Sequence, residues 1–446
     1  MTTTAPSTTI CAISTPPGTG AIALIRLSGP QAIAIADAIW QGKPLAAAPS
    51  HTAHLGTITA ADGSPLDQAV ATIYRAPRSF TGEDTVELAV HGSPYIQQQL
   101  LRTLTDTGAT MAAPGEFSRR AFANGRLDLP RAEAIADLIA ADSAAAHAIA
   151  ISHMRGQYSS RLAALRQNLI DLTSLLVLEL DFSEEDVEFA PRPQLLATAR
   201  EIKTEVDRLA ASFRAGQAIK DGIPVAIIGP TNAGKSSLLN ALLGDDRAIV
   251  SEIHGTTRDI VEDRLHLPPY TFRIMDTAGL RQSADPIENL GIERSRRAAS
   301  TAAIIIDVAD ATLPAPAEPQ PAAGEAVLIP VANKADLAPA GLPGRLSLSA
   351  ATGAGLDRLR TALLDAAAAL APTSASVTVT NERHYRALAD ASAAISAAIT
   401  ALEQRLYPDI VHLHLRATLD ALASILGQVT TPDLLNTIFS RFCIGK

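Results

Sequence analysis

The chain has 446 residues, which is too long for a single small module because domains commonly hold roughly 100 to 200 residues. Hydrophobic residues make up 47% of it and charged residues 19%, a balance that excludes a disordered chain, and the aromatic share of 4% argues against large base-stacking platforms. The formal net charge of −9 excludes a globally basic nucleic-acid binder, so any such contact must be local.

The cysteine content and the chain start bear on the cellular compartment. Only Cys11 and Cys443 are present, at opposite ends of the chain, which argues against a disulfide framework and for a reducing compartment. The first residues lack the basic and apolar regions of a secretory signal, and no apolar run approaches the ~20 residues that span a bilayer. We therefore expect a soluble cytoplasmic protein with no membrane span, in which Cys11 is incidental.

Residues 1–124 predict an α+β domain. One strongly helical stretch covers 95–107, and it stands among short β-rich runs at 21–27, 69–74 and 86–91. From about residue 125 the pattern changes, because Leu, Ile and Val recur at spacings of three and four. This periodicity predicts a helical bundle with helices over 131–150, 162–180 and 195–213.

An α/β module begins near Gly222. Apolar strands alternate there with glycine-rich turns and helices, which predicts a parallel sheet with crossover helices that ends near residue 370. The strands are expected at 225–228, 273–275, 304–308, 326–331 and 345–348. After a linker at 371–376 the helical pattern returns over 382–406 and 410–426, so the module looks inserted into a helical domain.

A phosphate-binding loop is the strongest motif in the chain. Residues 229–236 fit G-x-x-x-x-G-K-[ST] between an expected strand and an expected helix at 237–243, which is the context that this motif requires. Glycines let backbone N–H groups surround the phosphates, Lys235 supplies charge to the β and γ groups, and the Ser236 hydroxyl is a ligand for Mg²⁺.

Further motifs follow in the order of a GTPase. Asp276 to Gly279 after the next strand can hold Mg²⁺ through water and sense the γ-phosphate, and Thr257 is the natural switch threonine. Asn333-Lys-Ala-Asp336 places a carboxylate where it accepts the N1 and N2 protons of guanine, which adenine does not offer. Ser349-Ala350 adds a backbone N–H for the guanine oxygen, so the sequence predicts GTP rather than ATP.

The catalytic group is not the one that Ras-like proteins use. Leu280 stands where those proteins carry a water-orienting Gln, and the nearest replacement is the Glu288 carboxylate, with a solvated surface glutamate as the alternative. Arg281 is either an arginine finger in cis or an exposed loop arginine. A side-chain oxygen from Asn232 could join backbone carbonyls of 251–256 around a monovalent cation, K⁺ if the cage is large and neutral.

These motifs and the chain ends together resemble the MnmE (TrmE) family of tRNA uridine-modification GTPases. The resemblance rests on 229–240, 255–259 and the terminal 442–446, and it continues over 15–18, 25–29, 79–84, 91–92, 114–118 and 127–129. It implies a multidomain α/β and α fold: an N-terminal α+β tetrahydrofolate-binding domain, and a helical-bundle domain split around an inserted Ras-like P-loop G domain. With the boundaries above, the domains are 1–124, 125–216, 217–372 and 373–446.

The resemblance also implies an activity and partners. A homodimer, in a heterotetramer with the FAD-carrying flavoprotein MnmG (GidA), adds a carboxymethylaminomethyl or aminomethyl group at C5 of the wobble uridine of certain tRNAs. A tetrahydrofolate derivative, 5-formyl- or 5,10-methylene-tetrahydrofolate, is the one-carbon donor. GTP hydrolysis is activated by K⁺ and coupled to the meeting of the two G domains.

Site residues are implied by the same resemblance, position by position. Asn232, Ser251, Ile253 and Thr256 match the K⁺ site, Ser236 and Thr257 the Mg²⁺ site, and Glu288 the water-orienting residue. Arg26, Glu87, Arg126 and Lys446 match the folate site, although each alone could be a surface charge or half of a salt bridge. Cys443 is either catalytic or a small packed residue. The full GTP-binding set is Asn232, Ala233, Gly234, Lys235, Ser236, Ser237, Ser251, Glu252, Ile253, His254, Gly255, Thr256, Thr257, Asp276, Thr277, Ala278, Gly279, Asn333, Lys334, Asp336, Ser349 and Ala350.

Two other functions remain open on the sequence. The first is a regulatory GTPase switch for ribosome assembly whose N-terminal part only binds proteins. The second is an N-terminal domain that transfers aminomethyl groups from folate on its own. Folate binding separates the first of these from tRNA modification, because a switch gives Arg26, Glu87 and Arg126 no shared pocket.

Overall fold

The computed structural model describes residues 8–181, 191–244, 263–275, 298–314, 326–338, 341–370 and 377–445. Within these ranges the chain forms two compact units. The first contains residues up to 136 together with 153–162 and 423–446, and the second contains 137–152 and 163–422. Each unit is built on its own β-sheet.

The sheet of the first unit has seven strands. They are β1 (Ile10–Ile13), β2 (Ile22–Ser28), β3 (Trp40–Gly42), β4 (Thr52–Thr59), β5 (Pro65–Tyr74), β6 (Thr85–His91) and β7 (Thr110–Met111). Their order is β3-β4-β5-β6-β2-β1-β7, and neighbours are antiparallel except for the parallel pair β1 and β7. The three strands that the sequence predicted here, β2, β5 and β6, are confirmed.

Two helices of the first unit bury one face of this sheet. They are α1 (Ala32–Ala38) and α2 (Pro94–Asp106), and α2 confirms the helix expected at 95–107. The core between helices and sheet is largely aliphatic, with Ile25, Leu27, Leu88 and Leu100 fully buried. Cys11 lies in the same core in β1, so it contributes to packing there.

The C-terminal segment packs against α3 (Glu116–Ala123) in this first unit. The sequence analysis did not predict the helix Pro432–Phe439. Thr431 caps its start, because the Thr431 hydroxyl accepts from Leu434 N at 3.3 Å. Phe439 and Phe442 pack with Leu129 in a small cluster of their own. The chain end then returns to the sheet, where the Ser14 hydroxyl donates a hydrogen bond of 3.1 Å to the Gly445 carbonyl.

Five further helices follow α3 along the chain. They are α4 (Leu129–Ala140), α5 (Ala144–Met154), α6 (Gln157–Asp181), α7 (Arg192–Ala211) and α8 (Phe213–Asp221). The single helix expected over 131–150 is wrong, because the chain breaks at 141–143. Ser143 caps a new helix there: its hydroxyl accepts from Ala146 N at 3.2 Å and its carbonyl from His147 N at 2.9 Å.

The second unit is organised around a six-stranded sheet. Its strands are β8 (Ile223–Ile228), β9 (Asp263–Leu267), β10 (Tyr270–Ile274), β11 (Ile304–Asp310), β12 (Val327–Asn333) and β13 (Leu346–Ser347), in the order β13-β12-β11-β8-β10-β9. Five strands are parallel, as the sequence predicted, and β9 pairs antiparallel with β10 at the edge. Helices α9 (Lys235–Leu243) and α10 (Leu356–Leu370) follow β8 and β13.

Two long helices close the second unit after residue 377. Helix α11 (Glu382–Glu403) packs lengthwise on α7, and the Ser392 hydroxyl donates to Asp207 Oδ1 at 2.5 Å. Helix α12 (Pro408–Leu426) follows, and we number the terminal helix Pro432–Phe439 as α13. Among the helices within the described ranges, none combines the length and the apolar character needed to cross a membrane.

Candidate functional site

The phosphate-binding loop, residues 229–234, lies at the carboxyl end of β8. In an open parallel sheet this edge is where ligands bind, next to the strand at which the connections change direction. Gly229 and Gly234 both have positive φ, at 143° and 87°. A Cβ on Gly229 would lie 2.1 Å from the Val308 carbonyl oxygen, and one on Gly234 would lie 2.2 Å from Asn333 Nδ2. Only glycine fits at either end of the loop.

Helix α9 aims its N-terminus at this loop. Its N-cap is Gly234, which has no side chain to cap the helix. Lys235 Nζ donates to the carbonyls of Gly229 and Pro230 at 2.8 and 2.7 Å, and burial lowers the pKa of Lys235. The positive end of a helix and an ammonium group therefore meet at one loop, which suits a phosphate. Ser236 and Ser237 are the next residues of the helix.

Asn333 joins two motifs that lie far apart in the sequence. Its Nδ2 donates to the Ala233 carbonyl at 2.9 Å, and its Oδ1 accepts from Ala350 N at 3.0 Å. The side chain is 2% exposed, and Ser349 beside it is also buried. The phosphate-binding loop, the end of β12 and the segment after β13 are thereby held together by one amide group, as their order in the sequence predicted.

The rest of the Asn-Lys-x-Asp motif turns away from this contact. Lys334 has a left-handed backbone with φ 65°, and Asp336 is exposed two residues later. Lys334 Nζ lies 2.6 Å from Oδ2 of Asp310, the last residue of β11. Hydrogen bonds from Lys334, and then from Thr312, lower the pKa of Asp310 to about 2. The sequence analysis missed Asp310, because its partner Lys334 lies 24 positions along the chain.

Several predicted site residues lie outside the described residues. They are Ser251, Glu252, Ile253, His254, Gly255, Thr256, Thr257, Asp276, Thr277, Ala278, Gly279, Glu288 and Lys446, together with Leu280 and Arg281. Asn232 is described: it is exposed in the phosphate-binding loop and has φ 63°. Its side chain is thus at the surface of the loop.

A second cluster of candidate residues lies on the sheet of the first unit. Arg26 on β2 and Glu87 on β6 are direct cross-strand partners, and Glu87 Oε1 accepts from Arg26 Nε at 2.9 Å and Nη2 at 2.6 Å. The Tyr74 hydroxyl lies 3.4 Å from Glu87 Oε2. Burial, and then the charge of Glu87, raises the pKa of Tyr74. Two of the four predicted folate residues are therefore in contact, with a tyrosine that the sequence analysis missed.

Aromatic rings and the chain end surround the Arg26 guanidinium. Its central carbon lies 5.7 Å from the ring centroids of both Phe80 and Phe117, within range of a cation–π interaction. Arg26 Nη1 is 3.5 Å from the Gly445 carbonyl oxygen. Neither ring was identified from the sequence, because nothing in the spacing of Phe80 or Phe117 points to an arginine on another strand.

Arg126 and Cys443 occupy other places in the first unit. The Cγ of Arg126 would lie 3.2 Å from a Cβ on Gly82, so this side chain packs against the segment that follows Phe80. Cys443 is exposed, and its carbonyl accepts from Gly115 N at 3.4 Å. Cys11 is the opposite case, since burial raises the pKa of its thiol to about 11.

Comparison with known proteins agrees with this architecture over almost the whole chain. The family model described as "MnmE helical domain" matches residues 129–443, and the one described as "GTP-binding protein TrmE N-terminus" matches residues 9–126. Among solved structures, the "crystal structure of SsGBP and GDP complex" matches this chain at 18% identity with a TM-score of 0.24. The match covers 47% of this chain and 69% of that one.

Full-length relatives carry one name. The protein "tRNA modification GTPase MnmE" of Parabacteroides distasonis is 45% identical over 459 residues, which cover 98% of this chain and 100% of the relative. The proteins of that name from Cytophaga hutchinsonii and Salinibacter ruber are 44% and 43% identical, with 98% and 99% of both chains covered. The chain therefore belongs to the MnmE (TrmE) family.

Proposed function

We propose that this protein is a GTPase that acts in the modification of the wobble uridine of tRNA. The observation that carries the nucleotide part is the Asn333 bridge, because it brings the phosphate-binding loop and the guanine-recognition motif into one site. The tRNA part is supported by the family and by the printed name of relatives that match the full length of the chain.

Lys235 and the first turn of α9 bind the β and γ phosphates in this proposal, and Asp336 selects guanine. The Ala350 N–H already donates to Asn333 Oδ1, so in this structure it fixes the Asn333 side chain instead of offering a donor to the base. Ser236 would hold Mg²⁺ together with Thr257 in this proposal, a role supported by the position of Ser236 directly after Lys235 at the helix start. The ion supplies positive charge against the charge that develops on the transferred phosphoryl group.

Hydrolysis in this proposal uses K⁺ and a glutamate. The exposed, left-handed Asn232 offers a neutral side-chain oxygen at the surface of the loop, with Ser251, Ile253 and Thr256 as the other positions. These residues would hold K⁺, which would supply positive charge near the γ-phosphate. Glu288 orients the attacking water. Replacing Glu288 with Ala should slow hydrolysis greatly and leave GTP affinity nearly unchanged, and Asn232→Ala should abolish the difference between KCl and NaCl.

The cluster around Glu87 fits a tetrahydrofolate derivative. Glu87 Oε1 is occupied by Arg26, while Oε2 has only the long Tyr74 contact among the described residues and keeps acceptor capacity for the donor edge of a pterin. Arg26 and, farther along, Arg126 and Lys446 would supply cations for glutamyl carboxylates. A one-carbon donor bound there supplies the carbon of the modification, while GTP hydrolysis gates the reaction.

The assembly belongs to the proposal as well. The three domains would be a folate-binding and dimerisation domain at 1–124, a helical domain in two segments at 125–216 and 373–446, and a G domain at 217–372. The homodimer would act with the FAD-carrying protein MnmG (GidA) on tRNA. An overall charge of −9 favours an arrangement in which the partner supplies much of the basic surface for tRNA.

Calorimetric titration with two ligands tests the proposal. We expect heat with GDP but none with ADP, and heat with 5-formyltetrahydrofolate that Glu87→Gln reduces. Binding of GDP without any folate binding would favour the regulatory GTPase switch. Binding of neither guanine nucleotide nor folate would overturn the proposal altogether.

A further inference from the structure

Lys334 of the guanine-recognition motif has a backbone that a side chain with a Cβ seldom adopts. In the described ranges, positive φ among non-glycine residues occurs at four positions, and two of them are in the nucleotide motifs: His51, Asn232, Lys334 and Arg405. Such conformations persist where the surroundings hold them in place, and they gather at binding sites. The contacts of Lys334 therefore decide how firmly the motif is set.

The left-handed turn at Lys334 separates Asn333 from Asp336, the two side chains of the motif that act in the proposed site. Asn333 before it is buried against the phosphate-binding loop, whereas Asp336 after it is exposed. The Lys334 carbonyl accepts from Leu337 N at 3.0 Å, which closes a tight turn over Asp336. A change of backbone at Lys334 would rotate Asp336 relative to Asn333.

Asp310 holds the other end of the Lys334 side chain. Asp310 and Asn333 are cross-strand partners at the ends of β11 and β12, and Ala311 N donates to the Asn333 carbonyl at 2.8 Å. The Asp310 carboxylate is itself fixed, because its Oδ1 accepts from Thr312 N at 2.9 Å and from the Thr312 hydroxyl at 2.7 Å. Its Oδ2 remains for the ammonium of Lys334, at 2.6 Å. The side chain of Asp310 is only 10% exposed.

We infer that Asp310 is a positioning residue for guanine-nucleotide binding: through its ion pair with Lys334 it sets the turn that places Asp336 for the base. The inference rests on the proposed GTPase function and adds to it a residue outside the recognised motifs. Thr312 serves the same purpose one step removed, by orienting the carboxylate.

The test is a set of affinities for fluorescent mant-GDP, with KM and kcat for GTP. Asp310→Asn keeps the shape and removes the charge, so the Kd for mant-GDP and the KM should rise on the order of tenfold, as for loss of one charge-assisted hydrogen bond, while kcat stays within twofold. Asp310→Glu should recover part of the loss. Lys334→Met should weaken binding too, and the double variant should be little worse than either single one.

A matched control lies on the same strand. Asp307 of β11 forms a comparably buried ion pair with Arg345, at 2.7 Å, but does not contact the motif. Asp307→Asn should lower the melting temperature and leave the Kd unchanged. An unchanged Kd in Asp310→Asn, equal losses of affinity in both variants, or strictly additive losses with Lys334→Met would each overturn the inference. Failure of the unaltered protein to bind mant-GDP would instead overturn the proposed function.

Discussion

The two candidate sites of this protein are built in different ways. The nucleotide site of the second unit is assembled from short loops that leave adjacent parallel strands at one edge, and backbone groups supply many of its contacts. The cluster in the first unit consists of side chains from three antiparallel strands, with Arg26, Glu87 and Tyr74 as its polar groups. The first kind of site depends on backbone conformation, and the second depends on charge and register.

Adding a single methyl group to the nucleotide site tests this contrast, because we expect it to cause a large loss of nucleotide affinity. A Cβ on Gly234 would lie 2.2 Å from Asn333 Nδ2, so Gly234→Ala must move either the loop or the Asn333 bridge. We expect loss of mant-GDP affinity on the order of 100-fold, corresponding to about 3 kcal/mol.

Gly344 provides the control for that substitution. It also has positive φ, at 74°, but a Cβ added there would meet no atom within 4 Å. Gly344→Ala should therefore cost only the strain of a left-handed residue, about 1 kcal/mol of folding free energy, with affinity unchanged. Equal affinity losses in the two variants would show that close approach at Gly234 is not what matters.

A buried charge gives the corresponding test in the first unit. The Arg120 side chain is 3% exposed and contacts Glu116 Oε1 at 2.9 Å, Glu83 Oε2 at 3.4 Å and the Thr8 carbonyl at 2.7 Å. Arg120→Ala leaves these acceptors without their partner, and it should destabilise the first unit by about 3 to 5 kcal/mol in urea unfolding. The affinity for mant-GDP should stay the same.

An exposed ion pair is the control for that loss of stability. Arg386 pairs with Glu382 along α11, and both side chains are more than half exposed. Arg386→Ala should cost no more than about 0.5 kcal/mol, because water screens the pair. Comparable losses of unfolding free energy in Arg120→Ala and Arg386→Ala would contradict the larger contribution that we assign to the buried Arg120.

A substitution that keeps the shape but removes the charge of Glu87, in the proposed folate cluster, should act only there. Glu87→Gln removes the negative charge that pairs with Arg26 and that, in the proposed site, accepts from the pterin edge. Binding of 5-formyltetrahydrofolate should therefore weaken on the order of tenfold by calorimetry. The affinity for mant-GDP should not change. Glu403→Gln, at an exposed pair with Arg200, is the control and should change neither affinity.

The same variant has a spectroscopic signature at Tyr74. Glu87 raises the pKa of Tyr74 by disfavouring the phenolate, but burial contributes more. In Glu87→Gln the pKa of Tyr74 should therefore fall toward its ordinary value and stay above it, as measured by ultraviolet absorbance at alkaline pH with Tyr74→Phe as the blank. An unchanged pKa of Tyr74 would show that Glu87 does not influence the Tyr74 hydroxyl.

The smallest effect concerns the two cysteines. Cys443 is exposed, whereas Cys11 is fully buried and its thiol has a pKa of about 11, so little thiolate forms near neutral pH. Alkylation of the native protein should modify one thiol per chain. In Cys443→Ser no thiol should be modified until urea unfolds the first unit. Rapid modification of Cys443→Ser would mean that β1 opens readily.

The difference between the two sites also explains what the sequence could predict. Loops that follow parallel strands meet at one sheet edge whatever the side chains are, so the motif order alone placed Gly234, Asn333 and Ala350 together. The contact of Arg26 with Glu87 depends on the register of β2 and β6, which single-sequence patterns do not specify, and only the family resemblance indicated it.

Other features lacked a local signal for a physical reason. Asp310 acts through Lys334, 24 positions along the chain, and becomes visible only when the ends of β11 and β12 are side by side. The break between α4 and α5 depends on Ser143 acting as a cap within a continuous apolar pattern. Strand β9 was missed because an antiparallel edge strand departs from the alternation of strand and helix.

The central claim is that guanine-nucleotide hydrolysis at this site serves tRNA modification, and nucleoside mass spectrometry of total tRNA tests it most directly. Cells that lack the gene would be complemented with the unaltered protein or with Lys235→Ala, which removes the ammonium from the phosphate-binding loop. We predict that 5-carboxymethylaminomethyl and 5-aminomethyl uridines disappear on deletion, return with the unaltered protein and stay absent with Lys235→Ala. An unchanged nucleoside profile on deletion would contradict the claim.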